Sequence, residues 1–296
     1  MIRRFIIPAL ELGVGMILIG SFLGPWLAVG DSLAVIRIPV AAAGVLFWFA
    51  PRFGVRRMLW VPIMSTLLLG YHGYDRTKGT GPDGPLRLYQ KNMWGGNKTP
   101  QAIAQDILDQ NPDFVTLQEV SDGNMRALSR LRAQYPHQHI CRIHAVASLV
   151  VLSKHPIVSG TGQCSDWRAF AAVQVNTPHG PVWVISLHLF WPYPLWQSRQ
   201  LDRILPQLAA LKGPKVLGGD FNMLPGTPVE WAVTRAMDAT ALRPAGPTLY
   251  VRGLVPVSID QILAHCGTVD RRPKLGSDHH GLVAQIGFDD ATCAAM

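Results

Sequence analysis

Three apolar blocks separated by short polar breaks fill the first seventy positions, and beyond them short apolar runs alternate with amphipathic stretches. The blocks run from about Phe5 to Val29, from Leu33 to Ala50 and from about Met58 to Tyr71. A helix needs about 17–25 apolar residues to cross about 30 Å of hydrocarbon, so the first is ample, the second adequate and the third marginal. Three transmembrane helices are therefore predicted within residues 1–74, with a hairpin or re-entrant third block as the variant its shortness leaves open. A cleaved signal peptide, with Arg3-Arg4 ahead of the apolar run and a small-x-small site at Ala28-Val29-Gly30, would not be followed at once by two more such blocks. Glu11 and Arg37 lie inside the blocks, where a charge usually faces a partner, and their mutual pairing is the expectation.

The connector Gly79 to Pro85 (GTGPDGP) has no period, so residues 75–85 read as a linker and 86–290 as a separate domain. Strands are predicted at Leu86–Met93, Phe114–Leu117, Ala147–Leu152, Phe170–Val175, Val182–His188, Lys215–Leu217, Ser258–Ala264 and Gly281–Ile286. Thr99-Pro100 opens a helix that Asn111-Pro112 stops. Others are predicted over Gly123–Gln134, Leu195–Leu211 and Val229–Met237. Strands and helices alternate early while strands run together in the middle, which predicts a mixed-sheet, layered α/β domain with helices outside. There is no internal repeat and no Walker or Rossmann glycine pattern.

Charge changes the picture only for the apolar end. The net charge is +8, but residues 1–80 hold eight Lys/Arg against three Asp/Glu while residues 81–296 hold nineteen against sixteen. The second domain is thus too nearly balanced to argue for a polyanion partner. Arg3 and Arg4 precede the first block and Arg52, Arg56 and Arg57 separate the second from the third, whereas Gly30-Asp31-Ser32 has no cation. That asymmetry places the N-terminus in the cytoplasm and, after three spans, the domain on the periplasmic side of an inner membrane. The four cysteines all lie in this domain and lack zinc-site spacing. Cys141 and Cys164 flank an expected hairpin; a 141–164 disulfide is the first expectation, a 266–293 disulfide the second, and four buried thiols the alternative.

The chemistry gathers where strands end. In Lys215–Asn222 (KVLGGDFN) an apolar run is followed by Gly218-Gly219, read as a tight turn, and then by Asp220 and Asn222 pointing the same way. Asn92 ends the first strand, Glu119 follows the second, His188 closes VWVISLH, Asp260 lies in VSIDQIL, and Ser277-Asp278-His279 precedes the last strand. Singly, each has a plain structural explanation such as a turn, an edge carboxylate or a satisfied histidine. Six strand ends all carrying Asn, Glu, His or Asp are harder to ascribe to solvation.

This ordered set resembles the endonuclease/exonuclease/phosphatase superfamily of metal-dependent phosphoesterases, through Asn92 in QKNMWGGN, Glu119 in LQEV, His188 in SLHL, GDFN at 219–222, Asp260 in SIDQIL and SDH at 277–279. The resemblance covers roughly residues 86–288, and with three spans ahead of it the chain looks like bacterial membrane-anchored members. It implies an α/β four-layer sandwich, two mixed sheets face to face with helices outside and the site at one end. It further implies Glu119 as principal ligand of Mg²⁺, with Mn²⁺ as the other ion of that kind, Asn92 beside the ion or the phosphate, and Asp278 completing its water shell. Asp220 would position or deprotonate the attacking water and Asn222 would fix that geometry; His279, paired with Asp260, would stabilise charge on phosphoryl oxygens, with His188 a second phosphate contact. His280 follows directly, so which imidazole faces the phosphate is open. So is the role of the aromatic stretch 189–194 (LFWPYP), which suits base stacking, lipid contact or simple capping. The implied partners are a phosphate-ester substrate, either nucleic acid or a phospholipid headgroup, and the lipid bilayer, with no protein partner. The reading from another class is a tethered, non-catalytic binding module on the same scaffold, which loss of motif residues would mark; none is missing.

Overall fold

The computed structural model describes residues 3–53, 58–142, 147–243 and 246–294; Arg56 and Arg57, used above for orientation, lie outside them. The helical end is built from α1 (Arg3–Gly20), α2 (Ala28–Val35), α3 (Arg37–Val45), a 3-10 segment Leu46–Phe53 and α4 (Trp60–Thr77). Among the described residues no single helix is long and apolar enough to cross a membrane. This corrects the expectation of three spanning helices. The first block is divided: α1 stops at Gly20, and the chain turns through Gly24-Pro25 before α2 begins at Ala28. The second breaks at Ile36, because Pro39 has no N–H to give to Val35 and its ring crowds that carbonyl. Ala28–Val35 and Arg37–Arg52 pass together by length and composition but are bent by 61°. The third runs on past Tyr71 into polar residues as far as Thr77.

Glu11 and Arg37 are both buried but do not pair. A Glu11 carboxylate oxygen accepts from the Met58 amide at 2.8 Å, whereas Arg37 gives Nε to Ser21 Oγ at 2.8 Å and Nη2 to the Ser21 carbonyl at 2.5 Å.

The remainder is a layered sandwich. One six-stranded sheet has the order β13 (Cys266–Arg272), β14 (Gly281–Gly287), β1 (Leu86–Asn92), β2 (Phe114–Val120), β4 (Ser148–Ser153), β3 (His137–Cys141). The second is β5 (Gln163–Cys164), β6 (Phe170–Thr177), β7 (Gly180–His188), β8 (Lys215–Asp220), β12 (Asp260–Ala264), β9 (Thr240–Ala241). A separate ribbon pairs β10 (Leu249–Val251) with β11 (Val255–Val257). Leu88, Phe114, Val151, Val173, Val184, Val216, Ile262 and Ala284 fill the space between the two sheets. Against the outer face of the first sheet lie α5 (Pro100–Gln110) and α6 (Asp122–Leu128), through Ile103, Ile107 and Leu128. Against the second lie α7 (Gln197–Ala210) and α8 (Pro228–Met237), through Leu201, Ile204, Val229 and Val233. A short α9 (Asp290–Ala294) closes the chain.

Both expected disulfides are present, Cys141–Cys164 and Cys266–Cys293. No simple hairpin joins the first pair: Cys141 ends β3 and Cys164 lies in β5, so the bridge clasps the edge strands of the two sheets. The second ties the other edge of the first sheet to α9.

The helical end is strapped to the sandwich by a buried guanidinium. Arg243 donates from Nε to Asp75 of α4 at 2.9 Å and from Nη2 to Glu230 of α8 at 2.7 Å. Replacing Arg243 by Met is predicted to destabilise the chain by about 3–5 kcal/mol, because the buried Glu230 carboxylate loses its cation; the thermal unfolding midpoint in detergent measures it.

Candidate active site

Strand direction explains why distant residues converge. Each sheet contains one parallel pair, β1 with β2 and β7 with β8, and a parallel pair sends both carboxyl ends the same way. Those ends carry Asn92, Glu119, His188 and Asp220. The neighbouring strands run oppositely, so they contribute their beginnings: Asp260 starts β12 directly across from Asp220, and His279 stands just before β14, which pairs antiparallel with β1.

Local backbone features aim these side chains. β2 has a register shift against β4 between Leu117 and Val120, and Glu119 there has a φ of 50°; such a bulge re-aims a side chain that regular pleating would send elsewhere. Asn222 has a φ of 46°, a conformation asparagine tolerates, and its amide N–H donates to Asp220 Oδ1 at 2.9 Å. The turn expected at Gly218-Gly219 is absent, since both residues lie inside β8. Their lack of a side chain serves packing instead. A Cβ at Gly218 would collide with Thr116 Oγ1 from the facing sheet, and one at Gly219 with the Leu187 carbonyl.

Asp220 is the focus. Asn92 Nδ2 donates to Asp220 Oδ2 and to Glu119 Oε1, each at 3.0 Å, while Asn92 Oδ1 accepts from the Trp94 amide at 2.9 Å. His188 Nε2 lies 3.7 Å from both Glu119 Oε1 and Asp220 Oδ2, and His279 Nε2 lies 3.8 Å from Asp220 Oδ2. His279 Nδ1 meets Asp260 Oδ2 at 2.7 Å. The question of which histidine faces inward is resolved by partners, because His280 Nδ1 turns to the Arg272 carbonyl. Asn222 Nδ2 donates to the Leu189 carbonyl at 2.8 Å, so it braces the chain after His188. Asp278 sits at the rim: it is exposed and its carboxylate is not among those that cluster with Glu119 and Asp220, but its charge reaches His279.

The electrostatics follow from burial. Asp220 is out of water, and that desolvation, reinforced by Asp260 and eased by His279 and His188, pushes its carboxyl up to about 6. Burial works against ionised His279 too, but Asp260 and Asp220 outweigh it and raise the imidazolium to about 10. For Asp260 burial opposes ionisation, and the charge of His279 with hydrogen bonds from His279, Thr248 and Gln90 overcomes it, so its pKa falls below the ordinary value. Ligand atoms of Glu119, Asp220 and His188 lie within 4.8 Å of one another, as do those of Asp220, Asp260 and His279. The first of these groups, oxygen-rich and partly open, suits a hard divalent cation.

Three residues that strand-end reading did not reach complete the surroundings. Gln90 Nε2 donates to Asp260 Oδ1 at 2.9 Å, Lys91 Nζ to the His279 carbonyl at 2.6 Å, and Thr248 Oγ1 accepts the Asp260 amide at 3.1 Å. Gln90 and Lys91 immediately precede Asn92, and two polar residues in the buried half of a strand were the signal available for them.

A family model, described as the Endonuclease/Exonuclease/phosphatase family, matches residues 90–279. A search of curated protein sequences finds no match. Among solved structures the chain is similar to an endonuclease/exonuclease/phosphatase from Beutenbergia cavernae, with 22% identity, 68% of this chain and 72% of that one covered and a TM-score of 0.52. It is also similar to sphingomyelinase C from Streptomyces griseocarneus, with 16% identity, coverage of 68% and 99% and a TM-score of 0.52. A magnesium-bound variant of beta toxin from Staphylococcus aureus gives 16% identity, coverage of 68% and 99% and a TM-score of 0.50.

A stability test isolates the buried pair. His279 takes up its proton more readily in the folded chain, so its stabilisation is complete below the ordinary histidine value near 6.5 and is lost as pH rises through about 10. His279→Gln is predicted to flatten the decline of the unfolding midpoint between pH 7 and pH 10; an unchanged slope would show that the imidazolium contributes nothing there.

Proposed function

The chain belongs to the endonuclease/exonuclease/phosphatase family of metal-dependent phosphoester hydrolases, and on that footing we propose that it hydrolyses a phosphate mono- or diester at the Asp220 cluster. The observation that carries this reading is the convergence on one buried carboxylate of Asn92, His188 and His279, with Glu119 alongside. Asp220, raised to about 6 by burial, is ionised at neutral pH yet still basic enough to take a proton from an attacking water. Asn222 holds that carboxylate in place from the backbone side. His279, kept cationic by Asp260, neutralises charge that develops on non-bridging oxygens, and His188 contacts the same phosphoryl group.

Glu119 is the principal holder of a divalent cation, Mg²⁺ or alternatively Mn²⁺. Asn92 steadies that carboxylate through its amide nitrogen, and Asp278 orients the ion's water. When bound, such a cation supplies Lewis-acid polarisation of a phosphoryl oxygen.

Attachment to a bilayer is part of the proposal. Trp26, Leu46, Leu67, Phe5 and Met16 of the helical end are each more than half exposed, an apolar surface that water would not leave uncovered. We place this end at the inner membrane with the sandwich on the periplasmic side, an oxidising compartment in which its two disulfides would persist.

The test is hydrolysis by the full chain in detergent, with and without Mg²⁺, of bis(p-nitrophenyl) phosphate, p-nitrophenyl phosphate, single- and double-stranded DNA and phosphatidylcholine vesicles. At least one substrate should turn over, with loss on chelation, and Asp220→Asn should reduce the rate by about 10²–10⁴-fold. Activity should climb as pH passes about 6, where Asp220 ionises, and decline near 10, where His279 loses its proton. Wild-type rates in Asp220→Asn would sink the reading.

A further inference from the structure

The Asp260–His279 pair is gripped from both sides by consecutive residues of β1 that the proposed chemistry leaves unused. Gln90 and Lys91 are fully buried and, being neighbours in a strand, point to opposite faces. Gln90 projects between the two sheets. Its Nε2 reaches Asp260 Oδ1 at 2.9 Å and Gln118 Oε1 at 2.8 Å. Gln118 Nε2 donates in turn to Ser186 Oγ at 2.9 Å and to the Gly218 carbonyl at 3.3 Å, and Ser186 Oγ donates to the Leu117 carbonyl at 2.9 Å. The amide touching Asp260 is therefore anchored to β2, β7 and β8 together.

Lys91 occupies the other face. Its Nζ donates to the His279 carbonyl at 2.6 Å and to the Pro273 carbonyl at 3.1 Å, and among the described residues no carboxylate lies within ion-pair distance of it. A buried lysine amine that only closes two carbonyls is an expensive way to fasten a loop, and an apolar side chain of similar length would serve stability as well. The contact falls on the backbone of the residue whose ring carries the charge of the site. Thr248 supports the arrangement, taking the Asp260 amide on Oγ1 and the His280 amide, at 2.7 Å, on its carbonyl.

We propose that Gln90 and Lys91 are positioning residues for the Asp260–His279 pair: Gln90 sets the orientation of the carboxylate, Lys91 sets the backbone from which the imidazole projects, and together they hold Nε2 toward Asp220. Neither touches the reacting atoms. This inference rests on the phosphoesterase reading for its kinetic consequence, but its geometric content does not depend on turnover.

Two measurements on the full chain in detergent test it. The proton on His279 Nδ1, shared with Asp260, gives a far-downfield NMR resonance identified by its absence in His279→Gln. Gln90→Met and Lys91→Met should shift that resonance or broaden it away; an unmoved resonance in both variants overturns the proposal whether or not any substrate is known. With Mg²⁺ and bis(p-nitrophenyl) phosphate, each variant should lower kcat by about 10–100-fold, the range for partners of active groups, with KM within about twofold. Added to His279→Gln, Gln90→Met should cost less than a further twofold, because residues acting through one another do not add. Full additivity, or wild-type kcat in both single variants, would overturn the proposal while leaving the activity itself standing. Loss of nothing in His279→Gln would instead strike the phosphoesterase reading. Should Gln90→Met fail to fold, Gln90→Asn shortens the donor within the same cavity and faces the same tests.

Discussion

Two carboxylates lie side by side on adjacent strands, almost wholly withdrawn from bulk solvent, and the rest of the site follows from how that is tolerated. Asp260 and Asp220 are partners in the β12–β8 register, and both are essentially inaccessible. Two such charges repel strongly in a low-dielectric setting. His279 resolves the conflict unequally: it bonds Asp260 directly at 2.7 Å and only approaches Asp220, at 3.8 Å. One carboxylate becomes a firm anion and the other is left basic. Environments that drive a pair of acids apart in this way divide roles between them.

The sandwich exists to make that pairing possible. A single mixed sheet would bring only some of the six residues together. Two sheets, each with a central parallel pair and each flanked by antiparallel neighbours, direct four strand ends and two strand beginnings to one edge. Face-to-face packing then has to be close, and β8 meets this with glycine at 218, where the facing sheet presents Thr116 and Gln90. The same closeness lets Gln118 reach across to Ser186 and Gly218, so the polar network beneath the site spans both sheets. The amide donors of Gln90 and Gln118 are all met in that network, while Gln90 Oε1 is buried without a partner.

At the other end of the chain, composition and geometry diverge. The apolar blocks are as the hydropathy pattern describes them, yet helices do not follow blocks. Gly20, Gly24-Pro25 and Pro39 interrupt the backbone hydrogen-bond ladder irrespective of how apolar the neighbours are. The polar groups inside this end also choose local partners: Arg37 folds back on Ser21 and stacks over Phe22 at 4.2 Å, leaving Glu11 to cap the Met58 amide.

The layered α/β class, the long strands β1, β6, β7 and β14, the helices α5, α7 and α8 and the polar residues at strand ends were all legible in the sequence, because each is written in local periodicity or in a motif a few residues long. Short strands such as β3, β5, β9, β10 and β11 were not, since edge strands of two to five residues owe their existence to a neighbour rather than to their own pattern. β13 was missed for a related reason: three of its seven residues are charged, and Asp270 and Arg271 face solvent. Proximity itself was never local information. That His279 rather than His280 faces inward, that Gly218 admits a facing sheet instead of turning the chain, and that Gln90 and Lys91 hold the Asp260–His279 pair are all decided by contacts between residues far apart in sequence, and only the folded chain brings those residues within bonding distance.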